Sequence, residues 1–456
     1  MDMVAPAEPS DGQKSIRSTR LGRMAALAGT GAKVGVNYLK YYGKRAVGQD
    51  DRAQLDADNA SDVYETFSQL KGGPLKLAQM LSIDRNLLPE AYSRQFAQAQ
   101  YSAPPLSYPL VVRTFQRELG QKPTELFDSF SSTAAHGASI GQVHRARRGD
   151  HEYAVKVQYP GVADSLRSDL RVIKPIALQV LGLREKDVAS YFAEVEARLT
   201  EETDYALELE RSQELSAACA HLANVTFPSY HPELSTARIL TMDWLDGQPL
   251  DRFADSDAPQ EQRDRIGQAL WDFYDFQIHE LRLFHADPHP GNFLALEDGR
   301  LGVLDFGCTK QIEPEFYYQQ FRFLDPRLAE DAEALQAALH DMAIYLPEDT
   351  AATRSLITEV AQQSLVLLAQ PFHHEQFDFG EHDFMRAIYE MGENNPRREE
   401  LRRMRGARGR ADSIYVNRAY FGLYSLLTRL RARVRTQLPA WLRQEGEVLP
   451  PAPLTA

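Results

Sequence analysis

The chain has few cysteines and no long apolar runs. Its 456 residues include only two cysteines, Cys219 and Cys308, which lie far apart and outside any CxxC motif. Neither a disulfide framework nor a thiolate metal site is indicated, and a reducing cytoplasm is the expected location. We find no run of about 18 uncharged apolar residues to span a bilayer and no apolar stretch of a signal peptide.

Basic residues are fewer than acidic ones, 51 against 64, and the formal net charge is -13 at pH 7. This balance argues against general affinity for nucleic acid or anionic membranes. Residues 14–47 are a local exception, with eight basic residues between small and apolar ones. As a basic amphipathic helix, this segment could lie on the inner face of a membrane, contact anionic lipid or dock a partner. It could equally be an ordinary helix packed on its own domain.

The spacing of apolar residues predicts an α+β chain with a small β-containing lobe before a larger helical lobe. Two alternating segments flank Arg148-Gly149-Asp150, which predicts two strands joined by a tight turn. Beyond a strand at 237–245, the spacing is nearly all helical apart from short strands around Phe293 and Val303. We therefore expect five segments: a disordered tail (1–13), a helical extension (14–122), an N-lobe with a helical insertion (123–245), a helical C-lobe (246–445) and a tail (446–456).

Three polar residues near the start of the second lobe have the types and order that phosphoryl transfer needs. His285-Ala-Asp-Pro-His-Pro-Gly-Asn292 is followed by Val303-Leu-Asp-Phe-Gly307. Asp287 would orient or deprotonate the attacking hydroxyl or water. Asn292 would offer an amide oxygen to Mg²⁺, and Asp305 a carboxylate to the metal that bridges the nucleotide phosphates. The pattern predicts the active-site half of a protein-kinase-like phosphotransferase that binds ATP or ADP.

A small-residue loop precedes this set in the chain and could approach phosphates through its backbone N–H groups. It spans residues 134–143 and is rich in alanine, and its candidate nucleotide-binding residues are Ala138, Ser139, Gly141 and Gln142. Alone, such a loop would be an ordinary turn. Together with the later acidic set, it predicts a phosphate-binding hairpin.

Lys156 lies on the strand after this loop, where its ammonium could reach the same phosphates. A lysine in an apolar strand is more often an edge residue whose head group reaches water. The loop before Lys156 and the acidic set after it favour the catalytic interpretation. Its expected partner is Glu208, on a helix where Asp204 and Glu208 would share one face at i and i+4.

Two further motifs are open to more than one interpretation. Met242-Asp243-Trp-Leu245 could present backbone groups to an adenine base, with Met242 at the back wall, or could simply end a strand. His285, Asp287 and His289 could ligate zinc or iron. That alternative leaves Asn292 and Asp-Phe-Gly unexplained.

Together these elements resemble the UbiB family of atypical protein-kinase-like proteins, also called AarF-domain proteins. The likeness extends from about Ser18 to Arg435 and is closest at Ala138-Ser-Ile-Gly-Gln-Val-His144 and Ala154-Val-Lys-Val-Gln-Tyr-Pro-Gly161. The resemblance implies a bilobal kinase-like fold with helical insertions in the N-lobe, Glu208 as the αC-type glutamate, ATP or ADP with Mg²⁺ as cofactors, and a role in quinone biosynthesis or lipid homeostasis. Quinone precursors and quinone-biosynthesis proteins are the partners that it implies.

A regulatory lid is also implied by this resemblance. The family's KxGQ motif matches Lys76-Leu-Ala-Gln79, with Ala78 in place of glycine, and its ExD motif matches Glu202-Thr-Asp204. In the family, the KxGQ helix folds across the nucleotide site and meets the ExD acids. The added Cβ of Ala78 favours a helix but removes room for close backbone approach.

The sequence therefore predicts a Mg²⁺-dependent ATPase or kinase, with Lys156, Glu208 and Asp287 as its catalytic residues. Two alternatives remain. One is a nucleotide-binding pseudokinase that acts as a lipid or complex chaperone without turnover. The other is a small-molecule kinase of the aminoglycoside or choline type, which shares the Asp/Asn/Asp set.

Overall fold

The chain forms two compact units in a computed structural model. Unit 1 contains residues 1–210 and 229–244, and unit 2 contains residues 211–228 and 245–456. The structure describes residues 20–46, 51–70, 74, 91, 92, 95, 107–138, 140–181, 185, 193, 196, 197, 199–393 and 408–443. Lys76, Gln79 and Ser139 lie outside these residues. The predicted domain boundaries stay predictions.

Unit 1 is built on a five-stranded antiparallel sheet. The predicted hairpin is observed as β3 (Gly141–Arg148) and β4 (His151–Gln158). Gly149 turns between them with a φ of 61°, which a residue without a Cβ adopts readily. The other strands are β1 (Ser129–Phe130) and β2 (His136–Gly137), which pair with β3, and β6 (Ile239–Asp243), which pairs with β4.

The helices of unit 1 pack through apolar side chains that recur along one helix face. They are α1 (Arg20–Ala46), α2 (Arg52–Leu70), α3 (Tyr108–Glu118), α4 (Pro123–Leu126), α5 (Val162–Leu181) and the start of α6 (Tyr205–Ala218). Leu27 and Val34 of α1 are buried with Phe67 of α2 and Leu166 of α5. Residues 20–46 of the basic segment therefore form a helix that packs one face on its own unit.

Glu208 and Asp204 do not share a helix, contrary to the prediction. Helix α6 begins at Tyr205, and the Asp204 carboxylate accepts hydrogen bonds from the N–H groups of Ala206 (3.0 Å) and Leu207 (3.4 Å). The short polar side chain of an aspartate satisfies N–H groups that have no partner within the helix. Asp204 thus caps the helix that carries Glu208.

Unit 2 holds more strands than its helical spacing predicts. Strands β5 (Val225–Thr226), β10 (Leu301–Val303), β9 (Phe293–Leu296) and β7 (Gly247–Pro249) form one sheet in that order. Two further antiparallel pairs are β8 (Leu283–His285) with β11 (Thr309–Gln311), and β12 (Gln376–Asp378) with β13 (Arg433–Arg435). At two to four residues each, these strands are too short for a period-2 pattern to stand out from helical spacing.

The helices of unit 2 surround an aromatic core. They are α7 (Leu250–Ala254), α8 (Gln260–Asp275), α9 (Pro314–Phe321), α10 (Ala332–Asp341), α11 (Ala351–Leu368), α12 (His382–Glu393) and α13 (Ser413–Leu430), with a π-helical segment at Phe276–Leu281 after α8. The ring of Phe273 packs against those of Phe293 and Phe306 in this core. Among the described residues of both units, no helix is long and apolar enough to cross a membrane.

A buried histidine makes the stability of unit 2 depend on pH. His279 lies between the hydroxyls of Tyr317 and Tyr420, each 2.9 Å from one ring nitrogen. Burial lowers the pKa of His279 from 6.5 to about 3, and the nearby Arg282 acts in the same direction. The unfolded chain therefore binds a proton that the folded chain does not, at any pH between these two values.

We expect the protein to lose stability as the pH falls below about 6.5, by up to about 1.4 kcal/mol per pH unit from this residue. In His279→Gln, the amide still hydrogen-bonds to the tyrosines but does not titrate. Its thermal midpoint should therefore fall less than that of wild type between pH 7 and pH 5.5. His340→Gln, at an exposed site, should behave as wild type. Equal pH dependence of all three proteins would contradict this account.

Candidate active site

Lys156 and Glu208 form a buried ion pair in unit 1. The Lys156 ammonium lies 2.6 Å from Glu208 Oε1, and the two side chains are only 9% and 3% exposed. The ring of Tyr205, one turn before Glu208, lies 4.9 Å from the ammonium. Strand β4 and helix α6 bring the pair together across 52 positions of sequence.

The predicted phosphate loop is a tight turn between β2 and β3. Ala138 N–H donates to the carbonyl of Gly141 at 2.9 Å, and Gly141 N–H donates back at 3.4 Å. A Cβ at Gly141 would lie 2.6 Å from both Tyr205 Oη and Val157 O, so only glycine fits here. Tyr205 thus contacts both the turn and Lys156.

The Gln142 side chain does not point out of the loop. It is fully buried, and its Nε2 lies 2.8 Å from Nε2 of His144. His144 Nδ1 lies 2.7 Å from the carbonyl of Ser131. Any contact of Gln142 with a nucleotide would therefore come from its backbone.

The predicted adenine-binding segment is partly occupied by other hydrogen bonds. Met242 is buried opposite Ala154 of β4, a position suited to the back wall of a pocket. The N–H groups of Asp243 and Trp244 donate to the carbonyls of Ser229 and Glu152, both at 2.9 Å. These two N–H groups are not available to a base.

Two antiparallel pairings gather the acidic set in unit 2. In the β9–β10 hairpin, Phe293 lies opposite Val303, and Leu304 N–H donates to Asn292 O at 3.0 Å. Asn292 therefore lies beside the residue that precedes Asp305. In the β8–β11 pair, Ala286 N–H donates to Cys308 O at 2.8 Å, which brings Asp287 to the same edge.

Short hydrogen bonds orient the side chains of this set. Asn292 Nδ2 donates to the carbonyl of Asp287 at 3.0 Å, which leaves its amide oxygen on the other side. Asp305 Oδ1 accepts the Gly307 N–H at 2.7 Å. Carboxylate and amide oxygens are the ligands that Mg²⁺ prefers, so the donor set fits this ion.

The Asp287 carboxylate forms an ion pair that the sequence did not indicate. Arg418 of α13 places Nη2 2.6 Å from Asp287 Oδ1, and the two side chains are 10% and 19% exposed. Helix α13 approaches this loop closely, since a Cβ on Gly422 would lie 2.1 Å from Pro288 Cγ. No sequence signal joins residues that are 131 positions apart.

His285 is part of the core beneath this loop. It is fully buried between the rings of Phe293 and Phe306, with Tyr274 Oη 3.3 Å from its Nδ1. Burial lowers the pKa of His285, although the carboxylates of Asp287 and Asp305 act in the opposite direction. Because its ring is enclosed by aromatic side chains, His285 positions the loop and is poorly accessible to a zinc or iron ion.

His289 also orients the loop, because its Nδ1 accepts the N–H of Gly291 at 3.1 Å.

Residues 98–339, more than half of the chain, match the family of the ABC1 atypical kinase-like domain. The chain belongs to this family, called UbiB above. The predicted family and the predicted α+β, kinase-like fold are both confirmed.

Similar proteins of this family include plant and animal members. The Arabidopsis thaliana protein "ACTIVITY OF BC1 COMPLEX KINASE 8, chloroplastic" is 31% identical over 61% of this chain and 38% of its own length. The Rattus norvegicus protein "Atypical kinase COQ8B, mitochondrial" is 26% identical over 82% of this chain and 72% of its own length. The chain thus spans well under half of the plant relative.

A solved structure is also similar. It is Rv3197 from Mycobacterium tuberculosis in complex with erythromycin, which is 27% identical, with a TM-score of 0.58, over 87% of this chain and 97% of its own. The chain therefore shares its fold with this protein.

Of the four residues of the predicted lid, the structure describes only Glu202 and Asp204. Lys76 and Gln79 lie outside the described residues. Glu202 is 8% exposed, whereas Asp204 is exposed and caps α6. The acids of the ExD motif therefore have different surroundings. Tyr205 follows the motif directly in the chain. The sequence analysis did not identify it as a residue that contacts Lys156 and Gly141.

We expect Glu208→Gln to lower the free energy of unfolding by about 3 kcal/mol, because the Lys156 ammonium stays buried without its counter-charge. Urea unfolding followed by circular dichroism measures this change. Glu210→Gln, at an exposed site on the same helix, should change stability by no more than about 0.5 kcal/mol. Equal effects of the two variants would show that the ion pair does not stabilise unit 1.

Proposed function

We propose that this chain is a Mg²⁺-dependent, ATP-binding enzyme of the UbiB type. It would hydrolyse ATP or transfer the γ-phosphoryl group to an acceptor. The observation that carries this proposal is the Lys156–Glu208 ion pair. In protein kinases, this pair must be in place before the lysine can position the phosphates.

Two sets of residues would bind the nucleotide and its metal. Lys156 and the turn at Ala138 and Gly141 would hold the phosphates. Asn292 and Asp305 would hold Mg²⁺, and the ion would neutralise charge on the phosphates. Asp287 would orient the attacking hydroxyl or water.

The ion pair between Asp287 and Arg418 favours a second candidate, a nucleotide-binding module that turns over ATP slowly or not at all. A guanidinium 2.6 Å from the carboxylate stabilises its charged form, which makes it a weaker base. As an orienting group, Asp287 could still act with Arg418 in place. Measured phosphate release separates the two candidates. The small-molecule kinase alternative is disfavoured by the family match.

The lid is proposed from the family's pattern. Lys76 and Gln79 would meet Glu202 and Asp204 and limit access to the nucleotide. Because Asp204 already accepts two backbone N–H groups, we expect Glu202 to provide the stronger contact with Lys76.

A lipid-linked role would fit the family, since one relative is named COQ8B and another is a chloroplast kinase. We propose that the chain supports quinone biosynthesis or lipid homeostasis at a membrane surface, with quinone precursors or the proteins that process them as partners. Quinone and lipid profiling of a strain that lacks this chain, complemented with wild type or Asp287→Asn, tests this role. Unchanged profiles would contradict it.

Helix α1 supports membrane contact. Its exposed apolar side chains are Val36 (48%), Leu39 (73%) and Tyr42 (55%). The same helix carries exposed basic side chains at Lys33, Lys40, Lys44 and Arg45. Apolar insertion together with basic charge is the pattern of a helix that binds anionic lipid.

The first test replaces the proposed metal carboxylate. Asp305→Asn should lower Mg²⁺-dependent phosphate release from ATP at least about 100-fold, because charge neutralisation dominates this reaction. Asp298→Asn, in the exposed turn between β9 and β10, is the matched control and should keep wild-type activity. Wild-type phosphate release by Asp305→Asn would refute the metal assignment, and no release by wild type with or without anionic vesicles would favour the second candidate.

The second test addresses the membrane. Leu39→Glu should weaken co-sedimentation with anionic vesicles roughly tenfold, because it removes a leucine from the lipid contact and adds a like charge. Leu368→Glu changes an exposed leucine of unit 2 and should bind as wild type does. Equal binding by both variants would exclude α1 as the contact.

A further inference from the structure

Two histidines and an aspartate meet at one end of the sheet in unit 1 through side chains that the proposed phosphoryl transfer does not use. His151 Nε2 lies 2.6 Å and His231 Nε2 2.8 Å from the same oxygen, Asp243 Oδ1. One ligand atom from each of the three residues lies within 4.8 Å of the others. None of these histidines takes part in the proposed phosphoryl transfer.

The backbone fixes this arrangement. His151 begins β4 and Asp243 ends the neighbouring β6, where Tyr153 lies opposite Asp243. The segment with His231 runs alongside β6, since His231 N–H donates to Thr241 O and Asp243 N–H donates to Ser229 O, both at 2.9 Å. Three adjacent segments of backbone thus present their side chains to one point.

Charge favours a cation at this point. The Asp243 carboxylate lies between the two imidazoles, and its Oδ2 accepts the N–H of Ser229 at 3.3 Å. A carboxylate oxygen in this position accepts protons from the neighbouring ring nitrogens. A metal ion that took the place of these protons would be coordinated by His151 Nε2, His231 Nε2 and Asp243 Oδ1.

The distances suit a small transition-metal ion. Zn²⁺ binds imidazole nitrogen and carboxylate oxygen at about 2.0–2.2 Å, so its ligand atoms lie roughly 3.3 Å apart. The present separations of 2.6 Å and 2.8 Å would have to widen by less than about 1 Å. The half-exposed side chain of His151 can move, and its exposure leaves a side open for water as a fourth ligand.

A second feature independently favours a metal. On the other side of the His231 ring, Nδ1 lies 3.5 Å from the Glu233 carboxylate. Metal-binding histidines commonly direct their other nitrogen to such a carboxylate, which orients the ring and strengthens its donor nitrogen. The ring of Tyr153 packs edge-on against His231 and forms the buried floor of the cluster.

We propose that His151, His231 and Asp243 form a binding site for a divalent transition-metal ion, with Zn²⁺ as the ion that fits best. Two imidazoles among three ligands disfavour Mg²⁺ and Ca²⁺, which prefer oxygen. None of its three ligands is a proposed Mg²⁺ ligand.

Equilibrium dialysis of the full-length, tag-free chain against Zn²⁺ tests this site. Wild type should take up one equivalent that millimolar Mg²⁺ does not displace. His151→Gln/His231→Gln should weaken Zn²⁺ binding at least about 100-fold, and Glu233→Gln about tenfold through the orientation of His231. His221→Gln, which removes an exposed histidine elsewhere, should bind as wild type does.

Circular dichroism in the presence of a chelator shows whether the variants keep the wild-type fold. If the double variant loses its fold, the Glu233→Gln result decides. Asp305→Asn should keep full Zn²⁺ uptake, which separates this site from the proposed Mg²⁺ site. No uptake by wild type, or equal uptake by wild type and by folded variants of the cluster, would overturn the proposal.

Discussion

The buried ion pair between Lys156 and Glu208 is the interaction on which the account of unit 1 depends. Desolvating two charges costs several kcal/mol, and a close contact between them is needed to offset that cost. The 2.6 Å separation provides such a contact. It fixes α6 against β4, and Tyr205 of the same helix packs against both Lys156 and Gly141. The contact that holds the helix on the sheet is thus the one that would align the phosphate-binding groups.

Unit 2 holds several acidic and amide groups at one edge of its strands, and the charge of Asp287 is paired. Short antiparallel pairings position Asp287, Asn292 and Asp305, while neutral His285 fills the core beneath them. Arg418 then balances the Asp287 carboxylate from a distant helix. The same ion pair joins the loop that carries Asp287 to α13.

Much of the fold and of the candidate site could be predicted from residues close in sequence. The β3–β4 hairpin, Lys156 and the Asp/Asn/Asp set follow from local spacing and turn chemistry. The pairing of Lys156 with Glu208 needed the family's pattern, because no periodicity joins positions so far apart. Arg418 and the His151–His231–Asp243 cluster depend on tertiary packing alone. The prediction that Asp204 lies within the helix of Glu208 was wrong. The helical spacing of the sequence continues through Asp204, whereas in the structure the Asp204 side chain caps the first turn of α6.

The central claim is that Lys156 and Asp305 both act on bound MgATP, Lys156 through the phosphates and Asp305 through the metal. Calorimetric titration of MgATP into wild type, Lys156→Met, Asp305→Asn and the double variant measures the coupling between them. The account predicts that the double variant loses less binding free energy than the two single losses added together, by at least about 1 kcal/mol. Strict additivity, or undiminished affinity in either single variant, would contradict it.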